Sequence, residues 1–301
     1  MAEDTWSRTL VNVDGEFVAG PDATVSVLDR SFVYGDGVFE GIGVVENSVV
    51  LLDEHVDRLY DSAKRTGIDI PIAKDRMRRR ILETARKNEM SDGYLRPLVS
   101  RGVGPLGIHN LDAVEGPTIV IIPQLDRAPQ FEALAPKEVR VAATRQPAPD
   151  SLDPRVKSNN YLPNVLAVLE VEGTDADTSI LLDSDGNVTE AAAANVFVVH
   201  EDRLLTPPER NILVGTTRNA LIEVAAGTDL TTEVTTLTPY DLYTADEVML
   251  TGTLAGVTPV TGVNDVPVGS GSVGEWTERL STALSDHLLE TGTPVPGDDS
   301  R

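Results

Sequence analysis

Residues 153–167 read D-P-R-V-K-S-N-N-Y-L-P-N-V-L-A. Their lysine, Lys157, is one of five, with Lys64, Lys74, Lys87 and Lys137, against twenty arginines. Lys64, Lys74 and Lys87 sit in charged helical patterns and Lys137 follows a Pro-rich break, so all four read as solvated surface. Lys157 instead stands among small polar residues, between a Pro-rich approach (146–154) and an apolar run (161–169). An amine placed where it sheds hydration is a candidate nucleophile or carbonyl-binding group. A helix-start lysine that satisfies a carbonyl is the commoner fate, so the surrounding chain has to decide.

The 301 residues suffice for one large domain or two modest ones with ample core. No apolar run approaches the length of a membrane span, and residues 1–8 carry no apolar signal core, which predicts a cytoplasmic protein. The absence of cysteine excludes disulfides, thiolate catalysis and cysteine-based metal sites. A net charge of −23 disfavours nucleic acid as a partner, because a phosphate backbone requires a basic surface. Acidic excess with so few lysines is the composition of salt-adapted proteomes, an expectation that an unfolding series in rising KCl checks. His55, His109, His200 and His287 are scattered without metal-ligand spacing, and no metal is expected.

Outward from the lysine, the N-terminal half opens with strands. Residues 10–18 alternate around Asp14-Gly15, a strong hairpin signal, and residues 23–28 predict another short strand. Residues 29–42 crowd three glycines around aromatic residues, which permits a bulge or close backbone approach. A turn at Glu46-Asn47 separates two apolar runs. The period then changes: Val56, Leu59, Tyr60 and Ala63 fall on one helical face, and residues 75–88 form a second amphipathic helix. Residues 94–103 and 118–122 read as buried strands.

This order predicts an α+β, two-domain fold: an N-terminal α/β domain over 1–123, a linker over 124–136, and a second domain over 137–290. Strands at 139–143, 179–182, 196–199 and 247–251, with helices through 171 and over 213–226 and 273–289, fill the second domain. The tail, 291–301, is predicted to be disordered.

Two stretches of that second domain suit a phosphate. Gly215-Thr216-Thr217 precedes an apolar helical pattern, where free N–H groups and the helix dipole favour an anion. Thr251-Gly252-Thr253 ends a strand with the same donors. Each is more often a plain cap or turn. Glu190 precedes four alanines, so a flat group can lie beside its carboxylate. Tyr94 and Arg96 alternate along an apolar strand, and an arginine on such a face must find an anion. An amine, a phosphate cradle, a carboxylate among alanines and an inward arginine together suit pyridoxal phosphate.

The segments Y-G-D-G-V-F-E-G-I, H-V-D-R-L-Y-D-S-A-K, Y-L-R-P, V-K-S-N-N-Y-L-P-N-V-L-A, V-T-E-A-A-A-A-N-V-F, G-T-T-R-N-A-L-I-E-V-A and T-G-T-L-A-G-V-T-P-V occur in one order, from about residue 11 to 289. In this the chain resembles the class IV (fold-type IV) pyridoxal-phosphate aminotransferases, most of all those for branched-chain amino acids. The resemblance implies a small N-terminal α/β domain, a larger barrel-like C-terminal domain that binds pyridoxal 5'-phosphate, and a homodimer or higher homo-oligomer. It implies that Lys157 bonds to the cofactor aldehyde and carries the proton. Glu190 would hold the ring nitrogen, Tyr161 would approach the phenolic oxygen, and Arg58, Gly215, Thr216, Thr217, Gly252 and Thr253 would bind the phosphate. The substrate carboxylate would meet Tyr94 and the backbone at Thr253 and Leu254. Tyr34, Phe39 and Gly41 would line the pocket, with Arg96 receiving an acidic co-substrate. Gly43 departs from the pattern, since branched-chain enzymes usually carry arginine there. The implied reaction passes an amino group between a branched-chain L-amino acid and 2-oxoglutarate. D-amino-acid transamination or aminodeoxychorismate lyase chemistry is the runner-up, and a non-catalytic cofactor-binding protein the third reading.

Overall fold

Asp14 and Gly15 both adopt left-handed backbone, with φ of 53° and 102°, and so reverse the chain between its first two strands. In the computed structural model, which describes residues 3–131 and 133–297, a short helix α1 (Glu3–Arg8) leads into β1 (Leu10–Val13) and β2 (Glu16–Ala19). Helix α2 (Arg30–Tyr34), β3 (Gly37–Phe39), β4 (Ile42–Val45), β5 (Ser48–Val49), α3 (Leu52–Arg65), α4 (Lys74–Lys87), β6 (Gly93–Ser100) and β7 (Thr118–Gln124) follow. The sheet order is β5-β4-β6-β7-β1-β2, with β3 also on β6. Alternate residues of β7, Ile119 and Ile121, are buried. They meet Val56 and Leu59 of α3 and Met77 and Ile81 of α4 in one apolar cluster. Period 2 on the sheet and period 3.6 on the helices thus supply the two halves of one core.

A second compact unit holds residues 130–155 and 161–288. Its elements are β8 (Lys137–Arg145), α5 (Leu162–Leu169), β9 (Thr178–Leu182), β10 (Val188–Ala191), β11 (Ala194–His200), β12 (Arg203–Thr206), α6 (Thr216–Ala225), β13 (Thr231–Val234), α7 (Pro239–Tyr243), β14 (Glu247–Gly252), β15 (Gly256–Val263), β16 (Val266–Pro267) and most of α8 (Glu275–Glu290). Strand β10 bonds both β9 and β11, so the path β10-β9-β8-β15-β14-β11 closes on itself. A closed ladder leaves no edge among these strands. Burial on both faces accounts for the unbroken apolar run Val196–Val199 in β11.

Three expectations change. Residues 23–28 form no strand: their alternation finds no ladder partner, and Val25 and Val27 stay exposed. The chain does not divide at a single linker, because Val156–Asn160 and residues 289–297 belong to the first unit with residues 3–129. Within the expected tail, Thr293–Pro294 pairs antiparallel with Val49 and Ser48 on the free edge of β5, while residues 298–301 lie outside the described residues. A short edge strand needs only backbone groups, which composition does not reveal. Among the described residues, no helix is long and apolar enough to cross a membrane.

Candidate active site

In the first unit, the lysine segment lies alongside β3. Phe39 N–H donates to the Lys157 carbonyl at 3.0 Å, Asn159 N–H donates to the Gly37 carbonyl at 2.9 Å, and Val38 bridges Ser158. The Lys157 N–H reaches Ser62 Oγ of α3 at 3.2 Å. This docking explains two of the glycines of Y-G-D-G-V-F-E-G-I, Gly35 and Gly37. A Cβ on Gly37 would come within 2.6 Å of Asn159 Nδ2 and 2.9 Å of the Val99 carbonyl. The Lys157 amine ends 4.7 Å from the centre of the Phe39 ring, half-buried and anchored at its backbone.

Beside it sits a buried ionic cluster. Arg58 Nε and one terminal nitrogen each donate to Glu40 at 2.7 Å, and His55 Nδ1 meets the same carboxylate at 2.7 Å. Burial alone would push the Glu40 carboxyl up, but the Arg58 charge and the hydrogen bonds from Arg58 and His55 outweigh it and hold it far below its ordinary range. Burial pushes His55 down against the pull of Glu40. Because an ionised carboxylate only accepts, the His55 Nδ1–H is the donor. The sequence places Arg58 on the polar side of its helix. The fold turns that side toward Glu40, so the guanidinium is held at two points rather than solvated.

Tyr94 and Arg96 share a face of β6, as their alternation predicts, and Arg96 donates to Tyr94 Oη at 3.0 Å. Gly41 faces that phenol so closely that a Cβ there would overlap Tyr94 Oη. Tyr34, expected in the pocket, accepts from the Gly107 N–H at 2.8 Å and lies under Arg30.

In the second unit, Glu190 lies on β10 opposite Asn195 of β11, and the alanines between them make the turn. Glu190 is 8% exposed. It accepts from Gln146 Nε2 at 2.9 Å and from the Leu213 N–H at 3.0 Å. Asn195 Nδ2 donates to the Leu213 carbonyl at 2.8 Å and approaches Glu190 at 3.4 Å. These bonds tie Glu190 to the segment that opens α6. Gly215 is the N-cap of α6 and, lacking a side chain, provides no side-chain cap; Thr216 and Thr217 follow it, both buried. The helix starts at Thr216 rather than Leu213, so Gly215-Thr216-Thr217 is its first turn. Gly252 ends β14 opposite Gly256, Thr253 follows it, and the Leu254 carbonyl accepts from Gln130 N–H at 2.8 Å. Tyr161 is the N-cap of α5.

These residues fit pyridoxal phosphate on the structure's own terms. An α6 start without a side-chain cap and with buried threonines has the donor chemistry that an anion needs. Glu190 is a buried acceptor on a rigid hairpin, and the buried Gln146 Oε1 and Thr251 Oγ1 beside these segments have no hydrogen-bond partner. Sequence reading missed Glu40, His55, Gln146 and Asn195. A carboxylate amid the apolar V-F-E-G-I run was a usable signal for Glu40; Gln146, in a Pro-rich stretch, had none.

Gly215 carries a prediction. A Cβ there would overlap Asn195 Oδ1. Gly215→Ala should therefore displace Asn195, loosen both Leu213 and Glu190, and cost about 1–3 kcal/mol by overpacking. A urea midpoint equal to that of the parent protein would show that Asn195 yields freely.

Comparison with known proteins gives consistent likenesses. Residues 37–263 match the family of class IV amino-transferases. A Methanocaldococcus jannaschii protein, named provisionally as a branched-chain-amino-acid aminotransferase, is 40% identical over 286 residues, covering 95% of this chain and 98% of its own length. The D-alanine aminotransferase of Bacillus licheniformis is 31% identical over 284 residues, covering 94% and 98%. The crystal structure of the T.th. branched-chain amino acid aminotransferase with pyridoxamine 5'-phosphate is similar at a TM-score of 0.89 and 30% identity, over 94% of each chain.

Proposed function

We propose, since the chain belongs to the class IV aminotransferases, that it transfers an amino group between a branched-chain L-amino acid and 2-oxoglutarate in a ping-pong cycle. The observation that carries the side-chain class is the near full-length likeness to the Methanocaldococcus jannaschii protein. Bound pyridoxal 5'-phosphate supplies an electron sink and an aldehyde.

The chain's own residues supply the rest. Lys157, its backbone fixed to β3, holds an amine beside Phe39 and moves the proton at the substrate α-carbon. Glu190 keeps a ring nitrogen protonated from a site where its other partners are fixed. The N–H groups and hydroxyls at Thr216 and Thr217, with Gly215, Gly252, Thr253 and Arg58, take the phosphate. Tyr161 meets the phenolic oxygen. Tyr94 and the backbone of Thr253 and Leu254 orient the substrate carboxylate, and Phe39, Gly41 and Tyr34 bound the side-chain pocket.

A homodimer accompanies this reading. Val27, Phe32, Leu106 and Ile108 of the first unit are 73%, 74%, 64% and 63% exposed on two segments joined by the Gly104 N–H to Leu28 carbonyl bond. Helix α5 of the second unit exposes Leu162, Val165, Leu166 and Leu169. Apolar surface on this scale supports burial against a second copy.

The likeness to a D-alanine aminotransferase favours one second reading, transamination of D-amino acids. Assaying L-leucine, D-alanine and aminodeoxychorismate side by side with 2-oxoglutarate decides. L-leucine is expected to be turned over at least about 10-fold faster than D-alanine. Faster use of D-alanine or of aminodeoxychorismate overturns the branched-chain assignment, and discharge of the cofactor by no amino donor overturns the enzyme itself.

A further inference from the structure

Two arginines of the first unit face one tyrosine without a carboxylate. The guanidinium of Arg96 lies 5.5 Å from the centre of the Tyr94 ring and that of Arg127 lies 5.4 Å from it. Arg96 donates only to Tyr94 Oη, and Arg127 makes neither a hydrogen bond nor an ion pair among the described residues. Arg30, Arg58, Arg78, Arg101, Arg140 and Arg155 each hold an aspartate or glutamate. Two cations sharing one ring repel each other, and stacking on an aromatic face offsets only part of that.

Two glycines stand beside Tyr94. Gly43 pairs with Tyr94 across the β4–β6 ladder and presents no side chain there. Gly41 lies against the phenol. Arg96 also lies 4.7 Å from the Phe39 ring centre, the same ring that the Lys157 amine approaches at 4.7 Å. One aromatic side chain therefore separates the Lys157 amine from the Arg96 guanidinium. A chain of a few carbons with a carboxylate at its far end matches that arrangement.

We propose that Arg127 acts with Arg96 as a two-cation receptor for the distal carboxylate of the dicarboxylic co-substrate, which makes Arg127 a specificity-determining residue. The inference rests on the transaminase reading above. It assigns to Arg127, on the chain just past β7, a second positive charge on the Tyr94 ring that Arg96 also faces. A branched-chain substrate places only methyl groups there, so the cost of leaving the two arginines hydrated stays small when that substrate binds. Arg127 is exposed and Arg96 half-buried, which lets both keep water in one half of the cycle and give it up in the other.

Calorimetry of the holoenzyme tests this without turnover, using glutarate, which has the distal carboxylate, and 4-methylvalerate, which has a branched end instead. Arg127→Gln is expected to weaken glutarate binding about 10-fold or more and to leave 4-methylvalerate within about twofold. Arg127→Lys should restore part of the loss. Arg79→Gln, which removes the same charge from the exposed face of α4, should move neither ligand. Equal weakening of both acids would make Arg127 a structural residue and overturn the proposal. Unchanged glutarate binding, or none in the parent protein, would overturn it as well. An enzyme that rejects L-leucine yet binds glutarate through Arg127 would sink the branched-chain assignment alone.

Discussion

Replacing Lys157 with alanine is expected to lower the rate of amino transfer by at least about 10⁴-fold, because on the proposed reading one side chain both bonds the cofactor and moves the proton. The loss should be chemical rather than structural. Lys157 is held through its backbone, by Phe39 N–H, Ser62 Oγ and the pairing of its neighbours Ser158 and Asn159 with β3. None of these bonds involves the amine, so the variant keeps its segment in place and its thermal midpoint near that of the parent. Borohydride reduction should fix the cofactor to the parent chain and not to the variant. Lys157→Arg separates charge from nucleophilicity: it preserves the cation near Phe39 and should be as inactive as the alanine variant. Turnover within about 10-fold of the parent in either variant would sink the assignment.

Glu40→Ala is the second large effect, and here the loss begins with the fold. The side chains of Glu40 and His55 are 0% and 1% exposed and that of Arg58 13%. Removing the carboxylate leaves a guanidinium in a low-dielectric site without its partner, at a cost of about 3–5 kcal/mol. Arg58 then loses the two-point hold that aims it, and cofactor affinity should fall roughly 10- to 100-fold. Glu40→Gln, which still accepts one bond from Arg58, should fall between the two. The pH dependence supplies a signature. The folded carboxyl titrates below its ordinary 4.5, and His55 below its ordinary 6.5. Both contributions are therefore complete above those ordinary values and are lost as pH falls, His55 first and Glu40 next. In Glu40→Ala the step below pH 4.5 should shrink or vanish from the stability profile. A variant with the parent's melting point and the parent's acid limb would show that the cluster carries no such energy.

Local chemistry made much of the chain legible. The hairpin at Asp14-Gly15, the turn at Glu46-Asn47 and the apolar face of α3 each depend on residues within a few positions of one another, and each appears as its residues predict. The Gly215-Thr216-Thr217 helix start was readable for the same reason. What escaped reading depends on partners remote in sequence. Arg58 is indistinguishable from a surface arginine until Glu40, eighteen residues earlier, is brought to it. Gln146 becomes a neighbour of Glu190 only because the strands of the second unit close into a ring.

By itself, then, the order of residues determined most of the elements and the Gly215-Thr216-Thr217 helix start, since propensity and turn geometry act over short stretches. Tertiary structure alone decided that Val156–Asn160 leaves the second-unit elements that flank it in sequence, β8 and α5, and docks on β3 of the first unit. It also buried Glu40 beneath Arg58 and set two unpaired arginines on one tyrosine. Backbone hydrogen bonds and buried charges carry no label of the partner they will meet. That partner is selected only when long-range ladders and apolar packing bring distant segments together.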